Sequence, residues 1–366
     1  MCGIVGYIKT GNYDNLYRST KIIEHRGPDA INVKWFDEHN SGLGHARLSI
    51  IDLSDLANQP MHNADNDTYI VFNGEIYNYE EIRFELIKLG MNFSTNSDTE
   101  VILKAYYKWG KGCIKKFNGM FSFAVFDKNS GDLLLCRDRL GIKPLYYYYS
   151  ENSLIFASEI KSILESDSYV KEIDFNAFHT SIHYQVAPYT GFKDIKKLEP
   201  GHFLNFSNGK IKIEKYWDIA PIEVPMDYKN AYEKLDYLIN DSIKLNMVSD
   251  VPIGALLSGG LDSSLICAIM QRYLTNPINT FTIKFEKADL KRQGNVDDAS
   301  YAKLLADKFG FNHKEIVIKP DIVNLIEKIT WHLDEPLADP SAINTYLISK
   351  EARESGVKVL LSGMGA

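Results

Sequence analysis

A cysteine stands at position 2, directly after Met1. A small second residue allows Met1 to be trimmed, which would give Cys2 a free α-amine. Such an amine has a reference pKa of about 7.7–8.0, so a fraction is neutral at cellular pH and can act as general base for the adjoining thiol. The thiolate is the attacking species, so its local environment governs reactivity. Gly3-Ile4-Val5-Gly6 reads as a strand whose glycines let backbone crowd a site. A second cluster, Ser258-Gly259-Gly260-Leu261-Asp262-Ser263-Ser264, lies between a strand-like run and a helical one. Glycines, hydroxyls and a helix N-terminus in that order cradle a phosphate. The cluster lacks the Gly-Lys-Ser/Thr ending of a Walker loop and the Gly-x-Gly-x-x-Gly of a dinucleotide fold. A serine-rich helix cap is its plainer reading. His179 and His183 have a metal-ligand spacing, but with no third ligand in view they read as a helix-face pair. Cys113, Cys136 and Cys267 read as core packing.

The elements that must hold these residues divide into two rhythms. Residues 1–217 carry short β-branched and aromatic runs, among them Thr68–Phe72, Phe121–Phe126, Leu133–Cys136, Leu145–Tyr149 and Leu154–Ala157. Turn signals such as Asn73-Gly74 and Asn129-Ser130-Gly131-Asp132 separate them. Helices are predicted over Tyr79–Leu89 and Thr99–Trp109, the second capped by Ser97-Asp98. This is an antiparallel sandwich with helices. Residues 218–228, with two prolines, read as a linker. From 229 to 366 helices and strands alternate: helix Ala231–Asn246, strand Ile253–Leu257, helix Ser264–Tyr273, strand Thr280–Phe285, helix Ala299–Phe309, strand His313–Ile318, helix Asp321–His332, helix Thr345–Glu354, strand Val357–Leu361. That alternation predicts a parallel sheet covered on both faces.

Composition narrows the function classes. At 366 residues the chain is long enough for two domains without disulfide or metal staples. Lys plus Arg number 41 against 48 Asp plus Glu, a net charge of −7, so the basic footprint of a nucleic-acid binder is absent. No apolar run is long enough to span a membrane, and the N-terminus lacks the pattern of a signal peptide. Four scattered cysteines read as reduced thiols of a cytoplasmic protein.

Cys2-Gly3-Ile4-Val5-Gly6 resembles the start of class II glutamine amidotransferases. His25-Arg26-Gly27-Pro28-Asp29, Gly44-His45-Ala46-Arg47-Leu48-Ser49-Ile50, Phe72-Asn73-Gly74-Glu75-Ile76-Tyr77-Asn78, Ser97-Asp98-Thr99-Glu100 and Arg137-Asp138-Arg139-Leu140-Gly141-Ile142-Lys143-Pro144-Leu145-Tyr146 follow in the family's order. Over the whole chain the similarity is to glutamine-dependent asparagine synthetases and close relatives. It implies an N-terminal-nucleophile αββα sandwich (residues 1–217) and an α/β domain of the ATP-pyrophosphatase, HUP-like type (residues 229–366, partial).

The resemblance also implies roles. Cys2 is the nucleophile, and the Asn73 amide and Gly74 N–H receive the oxyanion. Arg47 clamps the glutamine α-carboxylate, while Glu75 and Asp98 receive its α-ammonium. Without the family, Asn73-Gly74 reads as a hairpin turn, Arg47 as a surface arginine and Asp98 as a helix cap. His25–Asp29 reads as a structural turn beside the pocket. In the second half the resemblance implies that Ser258, Gly259, Gly260, Asp262, Ser263 and Ser264 hold ATP phosphates, with Asp262 on Mg²⁺. Leu256 and Ile283 border the adenine, and Ser362 and Gly363 lie by the nucleotide. Asp334–Ser341 matches a family segment beside the synthetase site; a solvated acidic turn is the alternative.

Met364 stands where the family usually has an acidic residue, and its acidic metal ligands and catalytic lysine come later than Ala366. The last strand is expected to be central in its sheet with nothing after it, which reads as an incomplete chain. The implied partners are glutamine, ATP and a carboxylate acceptor, aspartate by default, with ammonia passed internally; a homodimer is compatible. A sugar-acid acceptor, or a degenerate protein with glutaminase activity alone or a regulatory role, are the rival readings.

Overall fold

The computed structural model describes residues 1–181, 186–220, 225–285, 297–317, 323–335, 339 and 341–363. His183 and Met364 lie outside them. The chain divides into two units, Met1–Pro221 with Leu333–Ala338, and Ile222–His332 with Asp339–Ala366.

The first unit contains β1 (Gly3–Ile8), α1 (Tyr13–Lys21), β2 (Ala30–Phe36), β3 (Ser41–Arg47), β4 (Met61–Asn63), β5 (Thr68–Ile76), α2 (Tyr79–Lys88) and α3 (Asp98–Trp109). It continues with β6 (Gly119–Asp127), β7 (Leu133–Arg137), β8 (Tyr146–Ser150), β9 (Ser153–Ala157), α4 (Ile160–Leu164), α5 (Phe175–Ser181), β10 (Ile195–Lys197), β11 (His202–Ser207) and β12 (Lys210–Lys215). The strands make two antiparallel sheets, β10-β8-β9-β1-β3-β2 and β12-β11-β7-β6-β5-β4. Alternation along each strand sorts the side chains into three apolar layers. Ile4, Ile8 and Leu43 of the first sheet meet Val71, Ala124 and Leu135 of the second in the middle layer. Val5 and Tyr7 pack under Leu16 of α1 and Ile160 of α4. Ile70, Phe72 and Phe123 pack under Leu86 of α2 and Ile102 of α3. The unit is thus a four-layer αββα sandwich. Cys113 and Cys136 lie in the last of these layers.

Two local readings change. Asn73-Gly74 is not a turn: it sits inside β5, with Asn73 opposite Ser122 and Gly74 opposite Phe121 of β6. An uninterrupted ladder from Thr68 to Ile76 overrides the turn preference of the dipeptide. Gly74 is needed for close approach instead, since a Cβ there would lie 2.2 Å from the Met120 carbonyl oxygen. Asp98 is not the cap of α3. Ser97 is, accepting from the Glu100 N–H at 3.3 Å, and Asp98 is the first helical residue.

The second unit contains α6 (Tyr228–Asn246), β13 (Ile253–Leu256), α7 (Leu261–Tyr273), β14 (Asn279–Lys284), α8 (Asp298–Phe309), β15 (Asn312–Val317), α9 (Val323–Leu333), α10 (Ser341–Glu354) and β16 (Val359–Leu361). Asp227 caps α6, whose start precedes the predicted one by a turn. The four strands are parallel in the order β15-β14-β13-β16. Ala255 and Leu257 pack with Ile243 of α6, Cys267 of α7 and Ala302 of α8. Phe281 packs with Ile348 and Ala352 of α10. Both faces are therefore covered. Among the described residues β16 pairs with β13 alone, so the last strand is not central in this sheet. Strand order reverses between β13 and β16, and the crevice at the carboxyl ends of strands at such a switch point is where open α/β sheets bind ligands. No helix of the described residues is long and apolar enough to cross a membrane.

Candidate functional site

Cys2 enters β1 half-buried, at the mouth of a cavity of the first unit. The cavity is also lined by Met1, Arg47, Gln59, Asn73, Gly74, Glu75, Asp98, Thr99 and Lys143. All six residues singled out in this half of the sequence therefore meet around one space. The Leu48 N–H points at the Cys2 sulfur at 3.4 Å. Burial pushes the thiol pKa up, and the nearby amino terminus, Leu48, Lys143 and Arg26 pull it back.

The geometry of β5 explains why Asn73, Gly74 and Glu75 are consecutive. Its N–H groups alternate between two edges. Tyr77 donates toward the β6 side, to Asn118. On the other edge, the Phe72 N–H donates to Gln59 Oε1 at 2.6 Å and the Ile76 N–H to Asp98 Oδ2 at 3.0 Å. Pairing with β4 ends at Ile70. The Gly74 N–H lies between Phe72 and Ile76 on this open edge. Asn73 and Glu75 share the opposite alternation, on the side of the first sheet. The Asn73 side chain is completely buried, and neither its Nδ2 nor its Oδ1 has a hydrogen-bond partner. A buried amide with both ends unsatisfied costs stability unless something is to be bound.

Arg47, at the end of β3, is buried and steered by loop carbonyls. Its Nη1 donates to the Ser54 carbonyl at 2.8 Å and to Asn58 Oδ1 at 2.7 Å, and Nη2 to the Asp52 carbonyl. Burial raises the Glu75 carboxyl pKa, opposed by Lys143 and the amino terminus. Burial also pushes Asp98 up to about 7, with the Ile76 N–H opposing and the Glu75 charge adding to the rise. Lys143 is buried and its pKa is lowered by desolvation; its Nζ lies 3.1 Å from Met1 Sδ. Met1 itself lines the cavity, so its removal enlarges the space beside Cys2. His25 and Arg26 end the short 3₁₀ helix Glu24–Arg26, with a turn at Pro28-Asp29, and Arg26 Nε donates to the Cys2 carbonyl at 2.9 Å.

Sequence reasoning missed Lys143 and Gln59 as site residues. Lys143 lay within a quoted motif without a role. Gln59 carried no local signal.

In the second unit the loop after β13 turns through Gly259 at φ +76°, where a Cβ would meet Tyr301 Cβ at 2.6 Å and the Ala302 N at 2.9 Å. Only glycine fits there. Ser258 Oγ and Ser263 Oγ are 3.0 Å apart, and Ser264 Oγ donates to the Gly260 carbonyl at 2.5 Å. Gly260 caps α7 without a side chain, leaving the first-turn N–H groups to an outside acceptor. Gly363 closes against this turn, since a Cβ would lie 2.8 Å from the Ser263 N. Leu256, Ser258 and Ile283 line a cavity of ≈ 540 Å³ together with Phe281, Asp298 and Asn344. Gly259, Gly260, Asp262, Ser263, Ser264, Ser362 and Gly363 do not line it; Ser258 joins their turn to its wall.

Asp262 is exposed in the first turn of α7. Among the described residues no group of three or more His, Cys, Asp or Glu could hold a metal. Asp262 therefore fits only the magnesium mode in which phosphate oxygens and waters complete the shell. Asp334 and Glu335 are neither solvated nor part of this cavity. They are buried against Lys161 and Lys197 in the first unit.

Residues 1–217 match the glutamine amidotransferase domain, and residues 234–366 match asparagine synthase. The chain is 39% identical to a putative glutamine-hydrolysing asparagine synthetase 2 of Methanocaldococcus jannaschii, over 100% of this chain and 74% of that one. It is 38% identical to the glutamine-hydrolysing asparagine synthetase 1 of Bacillus subtilis, over 100% and 58%. It is 30% identical to amidase chry2 of Gibberella zeae, again over 100% and 58%. The chain thus spans little more than half the length of the last two relatives. With a glutamine amidotransferase domain followed by an asparagine synthase domain, it belongs to the family of glutamine-hydrolysing asparagine synthetases.

Proposed function

We propose that the chain releases ammonia from glutamine and supplies it to a carboxylate activated by ATP, forming an amide. The convergence of Cys2, Arg47, Asn73, Gly74, Glu75 and Asp98 on one cavity carries this reading. Once Met1 is removed, the Cys2 amine accepts the thiol proton. The sulfur attacks the side-chain amide carbon of glutamine, and the Asn73 Nδ2 and the Gly74 N–H stabilise the oxyanion. Collapse breaks the C–N bond, ammonia leaves with that proton, and water cleaves the thioester to glutamate. Arg47 pairs with the substrate α-carboxylate, and Glu75 and Asp98 with its α-ammonium.

In the second half, the turn from Ser258 to Ser264 holds the phosphates and Leu256 and Ile283 flank the base, with Ser362-Gly363 against the same turn. Asp262 would take part in holding Mg²⁺, which supplies charge neutralisation on the phosphates. An acceptor carboxylate oxygen attacks the α-phosphorus, pyrophosphate leaves, and ammonia then displaces AMP from the acyl carbon. We place the division between the halves at residues 218–228 and the protein in a reducing, cytoplasmic setting, which suits its four free thiols. Aspartate is the acceptor we favour. The name of the Gibberella relative, an amidase, makes the acceptor the point to test. Pyrophosphate release with ATP and glutamine, screened over aspartate, other amino-acid carboxylates and sugar acids, is expected to be largest with aspartate. Release with a sugar acid alone moves the acceptor. No release with any of them overturns the synthetase half and leaves a glutaminase.

The raised Asp98 pKa gives a pH prediction. Only the ionised carboxylate pairs with the substrate ammonium, so KM for glutamine rises as pH falls below about 7, approaching about tenfold per unit. Asp98→Asn raises KM and flattens that profile. Stability moves the other way. The folded-state pKa lies above the ordinary carboxylate value, so the folded protein holds more protons and loses stability as pH rises from about 4 to about 7. Asp98→Asn therefore raises Tm at pH 8. A KM flat between pH 6 and 8 in the parent would remove Asp98 from substrate binding.

A further inference from the structure

A chain of buried charges begins at the backbone of Cys2 and ends more than three hundred residues downstream. Arg26 Nε donates to the Cys2 carbonyl at 2.9 Å, and Arg26 Nη1 pairs with Glu159 Oε1 at 2.8 Å. His25 Nε2 reaches the same oxygen at 3.0 Å. Lys161 Nζ sits on Glu159 Oε2 and pairs with Asp334 Oδ1 at 2.8 Å. The Lys161 N–H donates to Asp334 Oδ2 at 3.3 Å. The side chains of Arg26, Glu159, Lys161 and Asp334 are each at most 9% exposed. Next in sequence, the fully buried Glu335 carboxylate pairs with Lys197 at 2.9 Å and accepts from the Gly191 N–H at 3.0 Å. Asp334 has φ +62°, the left-handed region that Asp enters more readily than most non-glycine residues.

This arrangement does more than fasten a segment. Apolar contacts anchor a strand of chain more cheaply than buried ions do. Here two cations and two anions alternate and sum to zero, and the last link grips the residue that bears the nucleophile. Removing Asp334 takes away a carboxylate that shares the Lys161 ammonium with Glu159. The pull on Glu159 loosens its hold on Arg26, and Arg26 holds the Cys2 carbonyl. We infer that Asp334 is a positioning residue for Cys2, acting through Lys161, Glu159 and Arg26. This rests on the reading of Cys2 as nucleophile. Glutamine hydrolysis thereby depends on a segment that belongs, in sequence, to the second half of the chain.

The test uses the full chain with Asp334→Asn, and with the pair Lys161→Met and Asp334→Leu, which leaves Arg26 and Glu159 as a neutral couple. The single variant is expected to lower kcat for glutamine hydrolysis by about tenfold to 10²-fold, the scale of a misplaced reacting group, while KM for glutamine stays within about twofold. The rate of Cys2 alkylation by a glutamine-analogue electrophile falls in parallel. The double variant recovers most of that loss, because no cation at position 161 is left to draw on Glu159. A single variant with kcat within about twofold of the parent, or a double variant whose losses multiply, overturns the inference. A merely structural role would reduce the folded fraction and leave kcat per titrated Cys2 unchanged, which also overturns it. A parent chain without any glutaminase activity would instead overturn the assignment of Cys2.

Discussion

Cys2→Ala abolishes glutamine hydrolysis, with a loss on the order of 10⁴–10⁶, the scale seen when a covalent nucleophile is removed. The substitution deletes one atom and leaves the rest of the site in place. The Arg26 contact to residue 2 is to its carbonyl, and the Leu48 N–H loses only a weak sulfur partner. Fold and glutamine binding are therefore retained, and the defect is in kcat. Amide formation from free ammonia and ATP, as proposed for the second half, is expected to persist, because that chemistry uses none of the first cavity. Mass spectrometry of the active protein is expected to show Met1 removed, as the amine must be free to take the thiol proton. A glutamine-analogue electrophile is expected to label the parent once and the variant not at all. Equal labelling of both, or an active chain that keeps Met1, sinks the mechanism.

Asn73→Ala is expected to lower kcat for glutamine hydrolysis by about 10²–10³ with little change in KM, since in the proposed mechanism the amide serves an oxyanion present only in the transition state. The structure adds a second expectation. Both polar atoms of Asn73 are buried without a partner. Each such atom costs about 1–3 kcal/mol, comparable to the small void left by its removal. Tm therefore holds or rises while activity collapses, the signature of a group kept for function at the expense of stability. Thermal melts beside steady-state kinetics check this. A fall in Tm that tracks the loss of activity would assign Asn73 to the fold instead.

Much of the architecture is legible because it rests on period. Alternating runs in residues 1–217 and the strand–helix rhythm after them reflect burial of one face or two, and both survive in the structure. The candidate site is legible where chemistry is written in a residue type, as at Cys2, Arg47 and the glycines of the turn after β13. Reading fails where partners come from afar. Asn73-Gly74 has strong local turn chemistry, yet nine rungs of β5 and β6 outweigh it. Gln59 matters because it reaches the Phe72 N–H, and nothing in its neighbours says so. Asp334 looks like part of a wet acidic turn until Lys161, 173 positions away, is seen beside it. Distant pairings of this kind leave no periodic trace.

The pairing of Asn73 and Gly74 with β6 along the whole length of β5 has a consequence for how the molecule comes apart. β5 is flanked by β6 and β4 and covered by α2 and α3, so freeing its ladder amides requires opening the heart of the first unit. Those amides exchange with solvent deuterium only at free energies near that of unfolding the unit. The turn from Ser258 to Gly260 lies outside the ladder and opens locally at far lower energy. Mild urea or warmth is therefore expected to open the turn after β13 first. On the proposed function, release of ammonia is expected to outlast the use of ATP over that window.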